Sequence, residues 1–214
     1  MIKSKAWNWD AYSKPWWEEP AGEVYPLLNR WKNKKFSKFL DLGCGIGRHS
    51  ILFAQHGFHV SALDLGKEGL EKLRDLAKKL KLPINIKHAD MIKLPYKDSA
   101  FDCILAFHSI YHQDDEGIKK VIGEMKRVLK REGEAYITFN SKNGSVFNSP
   151  DVKRISGNTV MKTEGHEAGI PHFLASKEDI ELLLKDFKIL EISYKEEYYP
   201  DYLSAHYFVL AQKK

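Results

Sequence analysis

Three glycines at alternate positions, Gly43, Gly45 and Gly47, follow directly on the apolar run Phe39-Leu-Asp-Leu42, and a helical pattern starts at Arg48. A strand that runs into glycines and then into a helix makes a bend without Cβ atoms. A ligand can lie against that backbone, and φ can turn positive there. The helix start adds unpaired N–H groups to the same space. Asp64 closes a second apolar run, where an acid can accept hydrogen bonds from a ribose diol. Together these residues predict a site for a nucleoside-containing cofactor. A dinucleotide site needs Gly-x-Gly-x-x-Gly, with the third glycine beside a pyrophosphate. Here that position is Arg48, and no Gly-Lys-Ser or Gly-Lys-Thr of a P-loop follows. Asp41 places a further carboxylate at the strand end, which opposes a pyrophosphate and suits an ammonium or sulfonium. The pattern favours an amino-acid-bearing nucleoside over a dinucleotide.

The elements that must hold these residues alternate between apolar runs and helical patterns, which predicts βαβ units and a mostly parallel sheet. Strands are expected over residues 38–42, 59–63, 84–88, 101–107 and 134–139. Helices are expected over 48–56, 66–80 and from Asp114 to Arg131, the last stopped by Gly133. Ser176-Lys-Glu-Asp179 reads as a capping-box start to a helix reaching Lys185. Residues 187–194 and 205–211 read as a closing antiparallel pair. In such a sheet, ligands bind beyond the carboxyl ends of the strands at the topological switch point. That singles out residues 41–47, Asp64 and Leu65, Asp90 and Met91, and residues 107–112. Two stretches lack periodicity: residues 1–31, which hold all five tryptophans, and residues 140–171, a polar loop insertion. Irregular stretches of that length inside a compact domain are usually functional or disordered. The whole chain of 214 residues is expected to be one domain.

The formal charge of +5 is modest, and the basic residues are interleaved with acids. No basic stripe predicts a nucleic-acid partner. No run approaches the roughly twenty apolar residues of a membrane span. The first ten residues have no apolar signal core. The two cysteines, Cys44 and Cys103, predict no disulfide framework and a reducing, cytoplasmic setting.

Four blocks in order carry a resemblance: Asp41-Leu-Gly-Cys-Gly-Ile-Gly47, Asp64, Ala89-Asp90, and Leu94-Pro-Tyr-Lys-Asp-Ser-Ala-Phe-Asp102. Over residues 35–139 the chain resembles the class I S-adenosylmethionine (SAM) dependent methyltransferases, above all small-molecule members of the ubiquinone-biosynthesis and tellurite-resistance types. The resemblance implies an α/β fold. Its Rossmann-like, doubly wound, mostly parallel sheet would have seven strands, an antiparallel C-terminal strand and helices on both faces. It implies SAM as cofactor and S-adenosylhomocysteine as product. Asp41 and the backbone of Gly43, Cys44 and Gly45 would hold the methionine part. Asp64 would accept from the ribose, with Leu65 against the adenine. Asp90 would accept from the adenine amino group, Met91 would contact the ring through its backbone, and the Phe107 carbonyl would face the SAM ammonium. The Cys44 side chain is expected to be a small filler. The tryptophan-rich segment is expected to pack on the sheet edge, to close as a lid with Tyr12 touching SAM and Trp16 and Trp17 nearby, or to form a partner surface.

Methyl transfer from a sulfonium is an in-line displacement, so alignment contributes most. A general base helps when the acceptor loses a proton. The candidates are His108, Tyr111 and His112, with His108 first. His166 and His172 flank the long loop and could reach the acceptor pocket, but they read first as exposed loop histidines. His108 and His112 have helical spacing, but position 109 is Ser where a zinc helix has Glu, so no metal is expected. The predicted acceptor is a small molecule. Residues 107–110 read Phe-His-Ser-Ile, not the Asn-Pro-Pro-Tyr type used for amino groups of bases or glutamine. A SAM-binding regulatory module without turnover is the alternative. A nucleotide-dependent oxidoreductase is disfavoured by Arg48.

Overall fold

The structure is a computed structural model that describes residues 2–9 and 17–214. In chain order its elements begin with α1 (Val24–Asn33), β1 (Lys38–Leu42), α2 (Arg48–Gln55), β2 (His59–Asp64) and α3 (Lys67–Leu80). Then come β3 (Asn85–His88), β4 (Phe101–Ala106), α4 (Asp115–Val128) and β5 (Leu129–Ser141). The chain ends with β6 (Val152–Arg154), β7 (Thr159–Lys162), β8 (Pro171–Ala175), α5 (Lys177–Leu183), β9 (Phe187–Tyr199) and β10 (Tyr202–Lys213). β1 pairs in parallel with β2 and β4, β2 with β3, and β4 with β5. β10 returns antiparallel to β5, and β9 closes the edge antiparallel to β10. The order reverses between β1 and β4, so a crevice opens there at the carboxyl ends of the strands.

The apolar runs that suggested doubly buried strands are buried on both faces. β1 packs Leu40 and Leu42 into one core layer with α4, and Phe39 into the other with α1 and α2. Phe39 and Phe53 stack with ring centroids 3.9 Å apart. The capping box at α5 is complete: the Ser176 hydroxyl accepts from Asp179 N, and the Asp179 carboxylate accepts from Ser176 N.

Three expectations are corrected. The sheet has ten strands instead of seven, because the 140–171 insertion is largely ordered. β6, β7 and β8 form an antiparallel meander, and β8 joins β5 in parallel through Asn140 and Ser141. Strands of three to five residues leave no long period to read. Second, α4 stops at Val128. Leu129 is already extended, and Lys130 turns back to Asp102 with Nζ 2.5 Å from Oδ1. Gly133 is needed for close approach and not for helix arrest, since a Cβ there would lie 2.8 Å from Asp102 O. Third, the N-terminal stretch contains α1. Val24, Leu27, Leu28 and Trp31 repeat at helical spacing, and all four are buried. Trp31 is a core residue.

Candidate functional site

A cavity of about 670 Å³ opens at the switch point. Its floor is the glycine loop after β1. Gly43 has φ +74°, and a Cβ there would fall 2.3 Å from Ser109 Cβ, so only glycine lets the loop after β4 close in. Gly45 has φ +55°, and its Cβ would strike the Trp9 ring at 2.3 Å. The loop's N–H groups are taken internally. Gly43 N and Cys44 N donate to Leu63 O at 2.8 and 3.0 Å. Gly45 N and Gly66 N donate to the two oxygens of Asp64 at 2.8 and 2.7 Å. None of these four donors is left for a pyrophosphate. The charge the floor presents is that of carboxylates.

Of the residues expected to touch a cofactor, Gly43, Cys44, Gly45, Asp64, Leu65, Asp90, Met91 and Phe107 all line the cavity. Tyr12 and Trp16 lie outside the described residues. Asp41 is set back from it. It is 2% exposed, and Ser50 Oγ donates to it at 2.6 Å. Burial pushes the Asp41 carboxyl up to about 7, with the Asp64 charge adding to the rise. The folded protein therefore binds a proton here between about 4 and 7 that the unfolded chain releases. Asp41 accordingly makes stability fall as pH rises through that window. Asp41→Asn should be free of this loss. In thermal melts from pH 4 to 8, its melting temperature relative to the native protein should climb with pH. A constant offset would place Asp41 in contact with water.

The segment 2–9 straps the cavity. Ile2 N donates to the Asp114 carboxylate, Gln113 Nε2 to Ser4 Oγ at 3.2 Å, Lys5 Nζ to Ala168 O at 2.5 Å, and Lys72 Nζ to Trp9 O at 3.0 Å. Trp9 packs against Gly45, Gly66 and Gly69. Trp7 stacks on His112 with centroids 5.8 Å apart, and Trp17 meets both Trp7 and Trp9 edge-on at 5.9 Å. Among the described residues no acceptor reaches Trp9 Nε1, a buried donor facing the cofactor end. Sequence reasoning noted the tryptophans and singled out Trp17, but not Trp7 or Trp9. Trp7 and Trp9 stand two apart, as on one strand face, but so short a run does not mark which of the tryptophans turn inward.

His108 leaves β4 with φ +49°, a left-handed conformation uncommon for a non-glycine residue. Its Nδ1 lies 3.1 Å from Tyr111 Oη, and its ring meets Phe107 and His206 edge-on at 4.5 Å each. Burial drives the His108 imidazole well below its usual range and the Tyr111 phenol well above. His108 is thus a neutral imidazole and Tyr111 a protonated phenol. His112 turns instead toward the β7–β8 turn, with Nε2 3.7 Å from Glu167 Oε1. His172 Nε2 lies 3.2 Å from the same oxygen. His206, Tyr199 and Tyr202 also face this compartment and escaped the sequence reading. The alternation Ser204, His206, Phe208 along β10 was the signal that could have found His206.

The domain profile described as "Methyltransferase domain" matches residues 39–133. Norajmaline N-methyltransferase of Rauvolfia serpentina is 34% identical over 45% of this chain and 33% of its own length. The first curated relatives are matched over between 33% and 50% of their lengths. The PH0226 protein of Pyrococcus horikoshii superposes with a TM-score of 0.68 at 26% identity, over 89% of this chain and 88% of that one. A SAM-dependent methyltransferase of Methanosarcina mazei superposes with a TM-score of 0.72 at 20% identity, over 91% of this chain and 98% of that one. No helix among the described residues is long and apolar enough to cross a membrane.

Proposed function

From the premise that residues 39–133 form a class I SAM-dependent methyltransferase domain, we propose that this chain methylates a small-molecule acceptor held in the histidine-lined half of the cavity. One observation carries this reading. A floor whose Gly43, Cys44 and Gly45 N–H groups are already bonded, and which presents the acids Asp64 and Asp90, continues into a compartment lined by imidazoles and phenols under a tryptophan roof.

The residues fit the cofactor. The glycine floor is free of Cβ atoms, Asp64 keeps lone pairs beyond its two backbone bonds, and Trp9 holds an unused donor above them. Asp64 would take the ribose, Leu65 and Met91 the adenine ring, Asp90 its amino group, and the Phe107 carbonyl the ammonium. SAM supplies an activated methyl group on a sulfonium. The chain's own work is alignment and exclusion of water, where positioning alone can contribute about 7–11 kcal/mol. The aromatic faces of Trp7, Trp9 and Trp17 suit a positively charged ligand. His108, bonded to Tyr111, is placed to meet an acceptor hydroxyl or amine as a neutral imidazole, and the burial that keeps it neutral also weakens it as a base. A roofed cavity of this size favours a metabolite over a polymer.

Calorimetric titration with SAM, S-adenosylhomocysteine and NAD tests the reading. SAM and its product should bind one to one and change the tryptophan emission, because Trp9 lies on the floor; NAD should not bind. NAD binding without a SAM response overturns the proposal. SAM binding with no S-adenosylhomocysteine formed across a broad metabolite screen would leave a regulatory module in its place.

A further inference from the structure

We propose that His112, Glu167 and His172 form a binding site for a divalent transition-metal ion in the acceptor half of the cavity. One imidazole nitrogen from each histidine and a carboxylate oxygen lie within 4.8 Å of one another, and all three residues line the cavity. Glu167 Oε1 stands 3.2 Å from His172 Nε2 and 3.7 Å from His112 Nε2. Ligand atoms about 2.0–2.2 Å from a zinc-like ion stand roughly 3–3.5 Å apart, so closure needs only small side-chain shifts.

The surroundings fix the ligands as an outer shell does. His172 Nδ1 lies 3.0 Å from Ile170 O, a pure acceptor, so Nδ1 carries the proton and Nε2 is available as a ligand. Lys162 holds the other oxygen of Glu167, which steers Oε1 toward the histidines. Phe173 N donates to Tyr111 O at 2.8 Å, locking the neighbours of His172 and His112 in register. Trp7 stacks on the His112 ring and limits its rotation. The loop after β4 and the β7–β8 segment thus bring three ligand atoms to one point, with Lys162 already paired to the far oxygen of Glu167. Two imidazoles and one carboxylate suit zinc, cobalt or ferrous iron better than magnesium or calcium, which prefer oxygen. All three residues line the cavity, so an ion held by them would be reached from it. If the cavity holds the methyl acceptor, as proposed above, the ion would bind an acceptor oxygen or nitrogen.

The test strips the full chain with a chelator and titrates it with cobalt(II) and zinc(II). One equivalent should bind, with visible cobalt bands and quenching of tryptophan emission. His172→Ala and His112→Gln should each weaken binding by at least about 100-fold, beyond the 10–100-fold typical of outer-shell losses. His56→Ala, at the end of α2, should change nothing. X-ray absorption on the zinc-loaded native protein should show two imidazole ligands, which covers variants that fail to fold. No stoichiometric binding, or a metal shell without imidazole, overturns the proposal and leaves an ion-pair network. SAM affinity, measured in parallel on the stripped protein, reports separately on the methyltransferase reading.

Discussion

Asp64→Ala is expected to weaken SAM binding about 100-fold and to lower the melting temperature at the same time. Hydrogen bonds to a carboxylate contribute about 1.5–3 kcal/mol each, and the lower end applies in a cavity open to water, so losing two ribose bonds costs about 3 kcal/mol. Each 1.4 kcal/mol is about tenfold in affinity. From sequence alone the substitution would leave the fold intact, but the geometry says otherwise. Asp64 already ties Gly45 N and Gly66 N together, joining the β1 and β2 loops. Alanine orphans both donors, at about 1–3 kcal/mol each, with the lower end favoured because the cavity admits water. A total near 2 kcal/mol corresponds to a fall of about 4–8 °C in a chain of this size. Asp64→Asn separates the effects: one acceptor oxygen remains for the loops, while the charge is lost. Calorimetry and thermal melts on both variants decide. Unchanged SAM affinity in Asp64→Ala would move the ribose elsewhere and undo the cofactor placement.

The second large effect lies far from the cavity. Glu134 is fully buried on β5 opposite Cys103, and accepts from Arg30 Nε and Nη2 at 2.8 Å each and from Trp31 Nε1 at 2.9 Å. Lys34 Nζ completes the cluster at 2.6 Å. This carboxylate fastens α1 to the sheet. Glu134→Ala should destabilise the protein by about 2–4 kcal/mol, a fall of roughly 10 °C. The figure stays below that for a stranded buried charge, because Arg30 and Lys34 are 40% and 34% exposed and can turn to water. The Trp31 donor cannot. The paired cations and the indole hold the Glu134 carboxyl below its ordinary value against the cost of burial. Its stabilisation is complete above the unfolded value near 4.5 and is lost as pH falls through the lower folded value. Glu134→Ala should therefore melt with less sensitivity to pH below about 4.5. A variant as stable as the native protein would mean that α1 is held by its apolar face alone.

The residues that were legible in sequence are those whose role is set by backbone chemistry near them in the chain. Gly43 and Gly45 need positive φ at a strand end, and Asp64 and Asp90 sit at strand tips that the apolar runs already marked. The capping box at α5 and the glycine-floored loop could be read without any long-range knowledge. The end of α4 could not, because Leu129 already pairs with Phe101 of β4. Nor could the strands of the 140–171 insertion, whose pairing partners are supplied by β5 and by each other.

The chain's own order of residues determined the cofactor class, because a side-chain-free bend followed by spaced acids is a local demand that few ligands satisfy. Tertiary structure alone decided the other half of the cavity. It set Asp41 behind the floor, laid Trp9 on Gly45, and carried His172 and Glu167 across to His112. The physical reason is range. Periodicity and turn chemistry act over a few residues, whereas these contacts join segments up to scores of residues apart, through packing that no single stretch encodes.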